Sequence, residues 1–139
     1  MSTFSTLRHI LATPAAVFAA ISDPVRLARW WGPDGFTNTF EICEFEAGGR
    51  WIFTMHGPNG AAYANESVFE EIVPDTLVRI RHVSPPHFVL TVALEPRGAG
   101  TLVTWEQVFA DADVAERVRH IVEPSNEQNL DRLMVEVAG

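Results

Sequence analysis

Six strand-like runs, at 37–46, 49–56, 61–73, 76–84, 87–95 and 101–109, all but the first with apolar and polar residues in alternation, constrain this chain more than any other feature. Alternation with period two puts every second side chain on one face, as a half-buried strand requires. The separators are short and consist of turn residues: Gly48-Gly49, Gly57-Pro58-Asn59-Gly60, Pro74-Asp75, Pro85-Pro86 and Arg97-Gly98-Ala99-Gly100. A parallel crossover needs about a dozen residues or more, so these strands must form an antiparallel meander.

Residues 4–11 alternate in the same way and predict a strand ahead of the meander. Thr13-Pro14 then supplies a helix cap and a first-turn proline, and Val17, Phe18 and Ile21 mark one face of a helix over 14–21. Asp23-Pro24 restarts a second short helix with Leu27, Trp30 and Trp31 on its apolar side. The paired indoles run directly into Gly32-Pro33-Asp34-Gly35, which can only be a turn. They must anchor a helix end against the mouth of a core or pocket. From 111 the spacing is helical again, with Val114, Val118, Ile121 and Val122, then Leu130, Leu133, Met134 and Val137, on apolar stripes. Pro124 interrupts this pattern, and Ser125 with Gln128 forms a capping-box pair, so a break or kink is expected near 123–125 with a fresh helix to about 138.

The element order predicts an α+β class over a single domain, 1–139: a seven-stranded curved antiparallel sheet, two short helices after the first strand, and a C-terminal helix across the concave face. Parity turns Trp51, Phe53 and Met55 inward, together with Tyr63, Asn65, Ser67 and Phe69, then Val78, Ile80 and His82. Phe88, Leu90, Val92 and Leu94 join them, as do Val103, Trp105, Gln107 and Phe109. Residues 37–46 do not alternate cleanly, and a bulge there leaves the facing of Phe40, Ile42, Cys43 and Phe45 open. Large rings with a few polar groups are the make-up of a small-molecule cavity, and they are equally the make-up of a solid core.

Composition narrows the function classes. With 47% hydrophobic and 20% charged residues the chain is an ordinary globular sequence rather than a disordered one. The net charge is −8 and every cation is arginine, a surface that repels phosphate backbones and anionic lipids, so neither nucleic acid nor membrane is an expected partner. Cys43 stands alone and reads as a small buried residue of a reducing cytoplasm, the expected location. No signal-peptide pattern or membrane-length apolar run occurs.

Catalytic constellations are sparse. His9, His56, His82, His87 and His120 have no i, i+4 helical pairing and no cysteine cluster, so no metal is expected. Nucleophile elbow, phosphate loop and dinucleotide fingerprint are all missing, and no cofactor is expected. His82 is the best single candidate for proton chemistry, with a solvated loop position beside Pro85-Pro86 or a hydrogen-bonded core imidazole as the alternatives. Glu44, Glu46, Glu70 and Glu71 read as a solvated face opposite arginines such as Arg79 and Arg81.

Trp30-Trp31-Gly32-Pro33 with Phe36-Thr37, Gly48-Gly49-Arg50-Trp51, and Met55-His56-Gly57-Pro58-Asn59-Gly60 together carry a family resemblance. Tyr63, Phe69-Glu70-Glu71-Ile72-Val73-Pro74, His87-Phe88, Thr101 through Thr104 and Asn129-Leu130-Asp131-Arg132-Leu133 extend it over nearly the whole chain. The chain resembles the family named after the activator of the heat-shock-protein-90 ATPase, within the START-like (SRPBCC) superfamily. That resemblance implies the helix-grip fold and a deep hydrophobic cavity between sheet and terminal helix, and it assigns no catalytic residue. The leading expectation is a module binding a small hydrophobic or aromatic molecule. The residues lining the site would be Trp51, Phe53, Met55, Tyr63, Asn65, Phe69, Ile80, His82, Phe88, Leu90, Trp105, Gln107, Phe109, Leu130 and Met134, with 130–137 as lid. Two alternatives stand beside it: a cyclase or hydrolase using the same cavity with His82 as general acid or base, and a chaperone-ATPase activator acting through its outer surface, for which no sequence feature speaks. Whether the chain pairs as a homodimer is open at this stage.

Overall fold

The computed structural model describes residues 2–139. Strand β1 (Thr3–Ile10) is followed by helices α1 (Pro14–Ser22) and α2 (Pro24–Trp30). Six strands come next, β2 (Thr37–Cys43), β3 (Arg50–His56), β4 (Ala62–Val73), β5 (Leu77–His82), β6 (Phe88–Arg97) and β7 (Gly100–Phe109), and then the long helix α3 (Ala112–Ala138). The strands form one sheet in the order β1-β7-β6-β5-β4-β3-β2, antiparallel throughout. Consecutive hairpins account for β2 to β7. The two short helices carry the chain from one edge of the sheet to the other, which is why β1 pairs with the last strand rather than with the second.

The local signals act as the sequence requires. Thr13 caps α1 by accepting the Ala16 N–H at 3.1 Å, with Pro14 in the first turn. Asp23 ends α1 through its own N–H, bonded to the Ala19 carbonyl, and starts α2 by accepting the Val25 N–H at 3.0 Å. The irregularity of 37–46 is a register shift between Phe40 and Ile42, after which β2 stops at Cys43. Phe40 still reaches inward onto Trp51 and Phe53, and Phe45 packs between Phe18 and Phe69. Gly49 is obligatory, because a Cβ there would sit 1.9 Å from the Glu44 carbonyl oxygen.

The expected stop and restart at Pro124 does not occur: α3 is one helix of 27 residues with the proline inside it. Gln128 does not cap a new helix; its side-chain carbonyl accepts the Asp34 N–H at 3.1 Å. Packing holds the helix on both sides of the proline. Ala115 is buried against Phe4 and Phe109 near one end, and Leu130 and Leu133 are fully buried in the main core toward the other. This tertiary burial outweighs the local cost of an interior proline, about 3 kcal/mol.

The core is built of rings. Trp51 stacks on Phe53 at 4.4 Å and on Phe69 at 5.3 Å and meets the edge of Trp31 at 4.9 Å. Trp30 is buried with its indole N–H donated to the Ala20 carbonyl at 2.9 Å, so the helix end is anchored as its tryptophan pair requires. On the opposite face of the sheet, Arg79 pairs with Glu71 and Arg81 with Glu70 at 3.1 Å, the solvated ladder expected of those residues. Among the described residues no helix is long and apolar enough to cross a membrane.

Candidate functional site

Sheet and helix do not close completely on each other. A cavity of about 230 Å³ lies between the inner face of β3–β7 and the middle of α3. The sheet contributes Phe53, Met55, Asn65, Ser67, Ile80, His82, Phe88, Leu90, Trp105 and Gln107, and α3 contributes Ile121, Val122, Ser125, Asn126 and Asn129. Trp31, Gly32 and Pro33, from the turn after α2, close one side, and Pro86 stands at another.

Nine of the expected lining residues therefore border one space: Phe53, Met55, Asn65, Ile80, His82, Phe88, Leu90, Trp105 and Gln107. The others lie elsewhere. Trp51 and Phe69 are completely buried and fill the solid core, as does Leu130 on the helix side. Phe109 belongs to a separate small cluster with Phe4 and Ala115, and its ring meets Phe4 at 5.7 Å. Tyr63 is not inside. It shares the parity of Asn65 but sits near the start of β4, off the cavity wall, 49% exposed and packed near Phe36. Met134 is 37% exposed and borders a shallow depression with His9, Ile10 and Leu11. The lid is correspondingly displaced: residues 121–129 of α3 cover the cavity, a little over two turns before the expected 130–137.

The turn residues and the polar face of α3 also border the space, and no motif in the sequence marks them for it. Trp31 reads as an anchor in the sequence, and Ile121 and Val122 as a stripe, but nothing in the pattern puts them opposite the sheet's polar groups. The turn becomes a wall because α3 clamps it. Asn129 accepts the Gly32 N–H at 3.3 Å and donates to the Trp30 carbonyl at 3.1 Å. Arg132 donates to five carbonyls, those of Arg29, Trp31, Gly32, Pro33 and Phe36, at 2.8 to 3.3 Å. Gly32 adopts φ +99°, and a Cβ there would press on the Met55 methyl at 2.9 Å, so the turn needs glycine at this point.

His82 is the central polar group. Its ring stacks on Phe88 at 4.5 Å, and it is 6% exposed. Nδ1 lies 2.8 Å from the Pro86 carbonyl, Nε2 lies 2.7 Å from Asn65 Oδ1, and the Ser84 hydroxyl is 3.5 Å away. Burial pushes the imidazole below its ordinary value, and the nearby His87 acts in the same direction, against the partial support of hydrogen bonds to the backbone of Pro86 and Ser84. The stacked pair is also a partition. On its other side is an open groove of about 360 Å³ bordered by Arg81, His87, Val89 and Val108.

No charged side chain borders the inner cavity; its polar groups are amides, hydroxyls, indole N–H groups and one imidazole. Cys43 is half-buried outside it, and burial pushes its thiol up to about 11, well away from a reactive thiolate. No group of three or more His, Cys, Asp or Glu among the described residues could hold a metal ion.

Comparison with known proteins bears on the fold and the family. A protein of Arthrobacter aurescens superposes with a TM-score of 0.90 at 24% identity, covering 99% of this chain and 86% of that one. A protein of Chromobacterium violaceum gives 0.85 at 23% identity, covering 99% and 98%. The AHSA1 protein of Silicibacter pomeroyi gives 0.79 at 20% identity, covering 98% and 97%. No protein of curated function matches the chain. The sequence profile described as "Activator of Hsp90 ATPase homolog 1-like protein" matches residues 11–138. With that match across nearly its whole length and the START-like arrangement of sheet and helix, the chain belongs to the activator of Hsp90 ATPase homolog 1-like family.

Proposed function

We propose that this protein is a binding module that holds one small apolar or aromatic molecule between the sheet and α3. The observation that carries the reading is the cavity itself: about 230 Å³ walled mainly by Trp31, Phe53, Met55, Ile80, Phe88, Leu90 and Trp105, with a few neutral polar groups among them. An apolar cavity of about 150 Å³ takes one benzene ring, so this space suits a ligand of about two fused rings. The state of His82 supports binding over turnover. Both ring nitrogens face protein oxygens, and no carboxylate borders the cavity to work with the imidazole as acid or base. The family description names an ATPase activator, yet the built feature of this chain is an internal space, so the ligand reading comes first. The lone, half-buried cysteine supports a cytoplasmic setting.

Native mass spectrometry of the protein purified from its own host tests the reading. A retained molecule of the size given above is the expected result, lost in Trp105→Ala and kept in Arg79→Ala, whose side chain lies on the outer face with Glu71. Equal loss in both variants, or a protein that neither retains nor takes up any such molecule, would refute it.

A further inference from the structure

Resting on the binding reading above, we infer that the cavity selects neutral molecules bearing a carbonyl-type hydrogen-bond acceptor, received by the side-chain amide of Gln107, and rejects carboxylates. The polar groups around the space differ in how much of their hydrogen-bonding capacity is already used. Asn129 has both ends of its amide engaged with the Trp30–Gly32 backbone. Asn65 is engaged with His82 and with the Tyr63 carbonyl at 3.0 Å, and His82 with Asn65 and Pro86. Gln107 differs. It is 8% exposed and borders the cavity, its Oε1 accepts from Asn126 at 3.1 Å, and its Nε2 has no acceptor among the described residues. A buried amide with two unused N–H groups beside an empty space is completed by an acceptor on whatever fills that space.

Charge sets the second half of the inference. No arginine borders the cavity, the chain contains no lysine, and Arg132, the cation nearest the closing turn, has its guanidinium occupied by five carbonyls. The net charge of −8 repels anions on approach. A carboxylate in this cavity would be buried without a counter-ion, the costliest way to place a polar group. A ketone, ester or lactone carbonyl meets the Gln107 amide without that cost.

Three probes of matched size separate the terms: 1-tetralone with a carbonyl, tetralin with no polar group, and 1,2,3,4-tetrahydro-1-naphthoate with a carboxylate. Dissociation constants come from NMR shift titrations at pH 7.5. The expected order is tetralone about five- to tenfold tighter than tetralin, the worth of one net hydrogen bond, with the carboxylate weakest by a further tenfold or more. Gln107→Leu should erase the tetralone advantage while tetralin binds as well or better, and Gln107→Met gives the same readout should the branched side chain fail to fold. A carboxylate that binds as tightly as tetralone, or a tetralone preference that survives in both variants, overturns the inference and leaves the cavity reading in place. Binding by none of the three probes overturns the cavity reading itself.

Discussion

Replacing Arg132 with methionine keeps most of the side chain's apolar length and removes the guanidinium donors by which α3 holds the carbonyls of the Trp31–Phe36 turn, leaving the Gly32 and Asp34 N–H groups on Asn129 and Gln128. The five hydrogen bonds come from only two guanidinium nitrogens, three of them from Nη1, so they are shared and count as two to three full-strength bonds. A net hydrogen bond from a charged group contributes about 1.5–3 kcal/mol, and the turn carbonyls recover part of that by rehydration, which leaves an expected loss of about 3–4 kcal/mol. Against a domain stability of about 5–15 kcal/mol this is a severe change. At about 2.1 cal/mol/K of unfolding entropy per residue it lowers Tm by about 10–14 °C for a chain of this length. Urea and thermal unfolding followed by far-UV circular dichroism give the number. Arg132→Lys should fall between the two, because one ammonium keeps the charge but cannot span carbonyls on both sides of the turn. A loss below about 1 kcal/mol in Arg132→Met would mean that burial of Trp30 and the Asn129 amide hold the turn alone, and that the clamp is incidental.

Pro124→Ala should stabilise the protein by about 1–3 kcal/mol, since it restores a backbone donor inside a helix whose two ends are already fixed by packing; a decrease in the urea midpoint would contradict this. His82 gives a pH signature. Its folded-state value lies below the ordinary 6.5, so below 6.5 the unfolded chain takes up a proton that the folded one refuses, and stability falls until the folded imidazole also titrates. Urea midpoints measured between pH 7.5 and 5.5 should decline in the native chain and flatten in His82→Gln, with Glu136, held low by Arg29 and Arg26, acting only in the carboxylate range below 4.5. Parallel curves for the two proteins would remove His82 as the cause.

The fold was legible because its signals are local and agree with one another. Asp23 reads as a cap in sequence and caps in fact, Gly49 marks a reversal no larger residue can make, and period two settles which face of β5 and β7 is inside. Parity has a limit that Tyr63 exposes: it assigns a face, not whether anything covers that stretch of the face. Helical spacing has the matching limit. It marks Leu130, Leu133 and Met134 as one stripe, but burial differs sharply along it, with Leu130 and Leu133 fully buried and Met134 partly outside. At Pro124 the local penalty is visible in the sequence and the packing on either side that outweighs it is not. Arg132 and Asn129 were legible only as family residues, since their work is done on backbone carbonyls and amides about a hundred positions away.

The register shift between Phe40 and Ile42 has a consequence beyond the facing of a few side chains. Strand β2 is one border of the sheet, where unpaired peptide groups would otherwise offer a template for the border of another molecule. The shift leaves only Thr37–Phe40 as a regular run before the ladder is interrupted, too little for a second sheet to zip onto. At this border of the sheet the shift works against sideways growth into fibres.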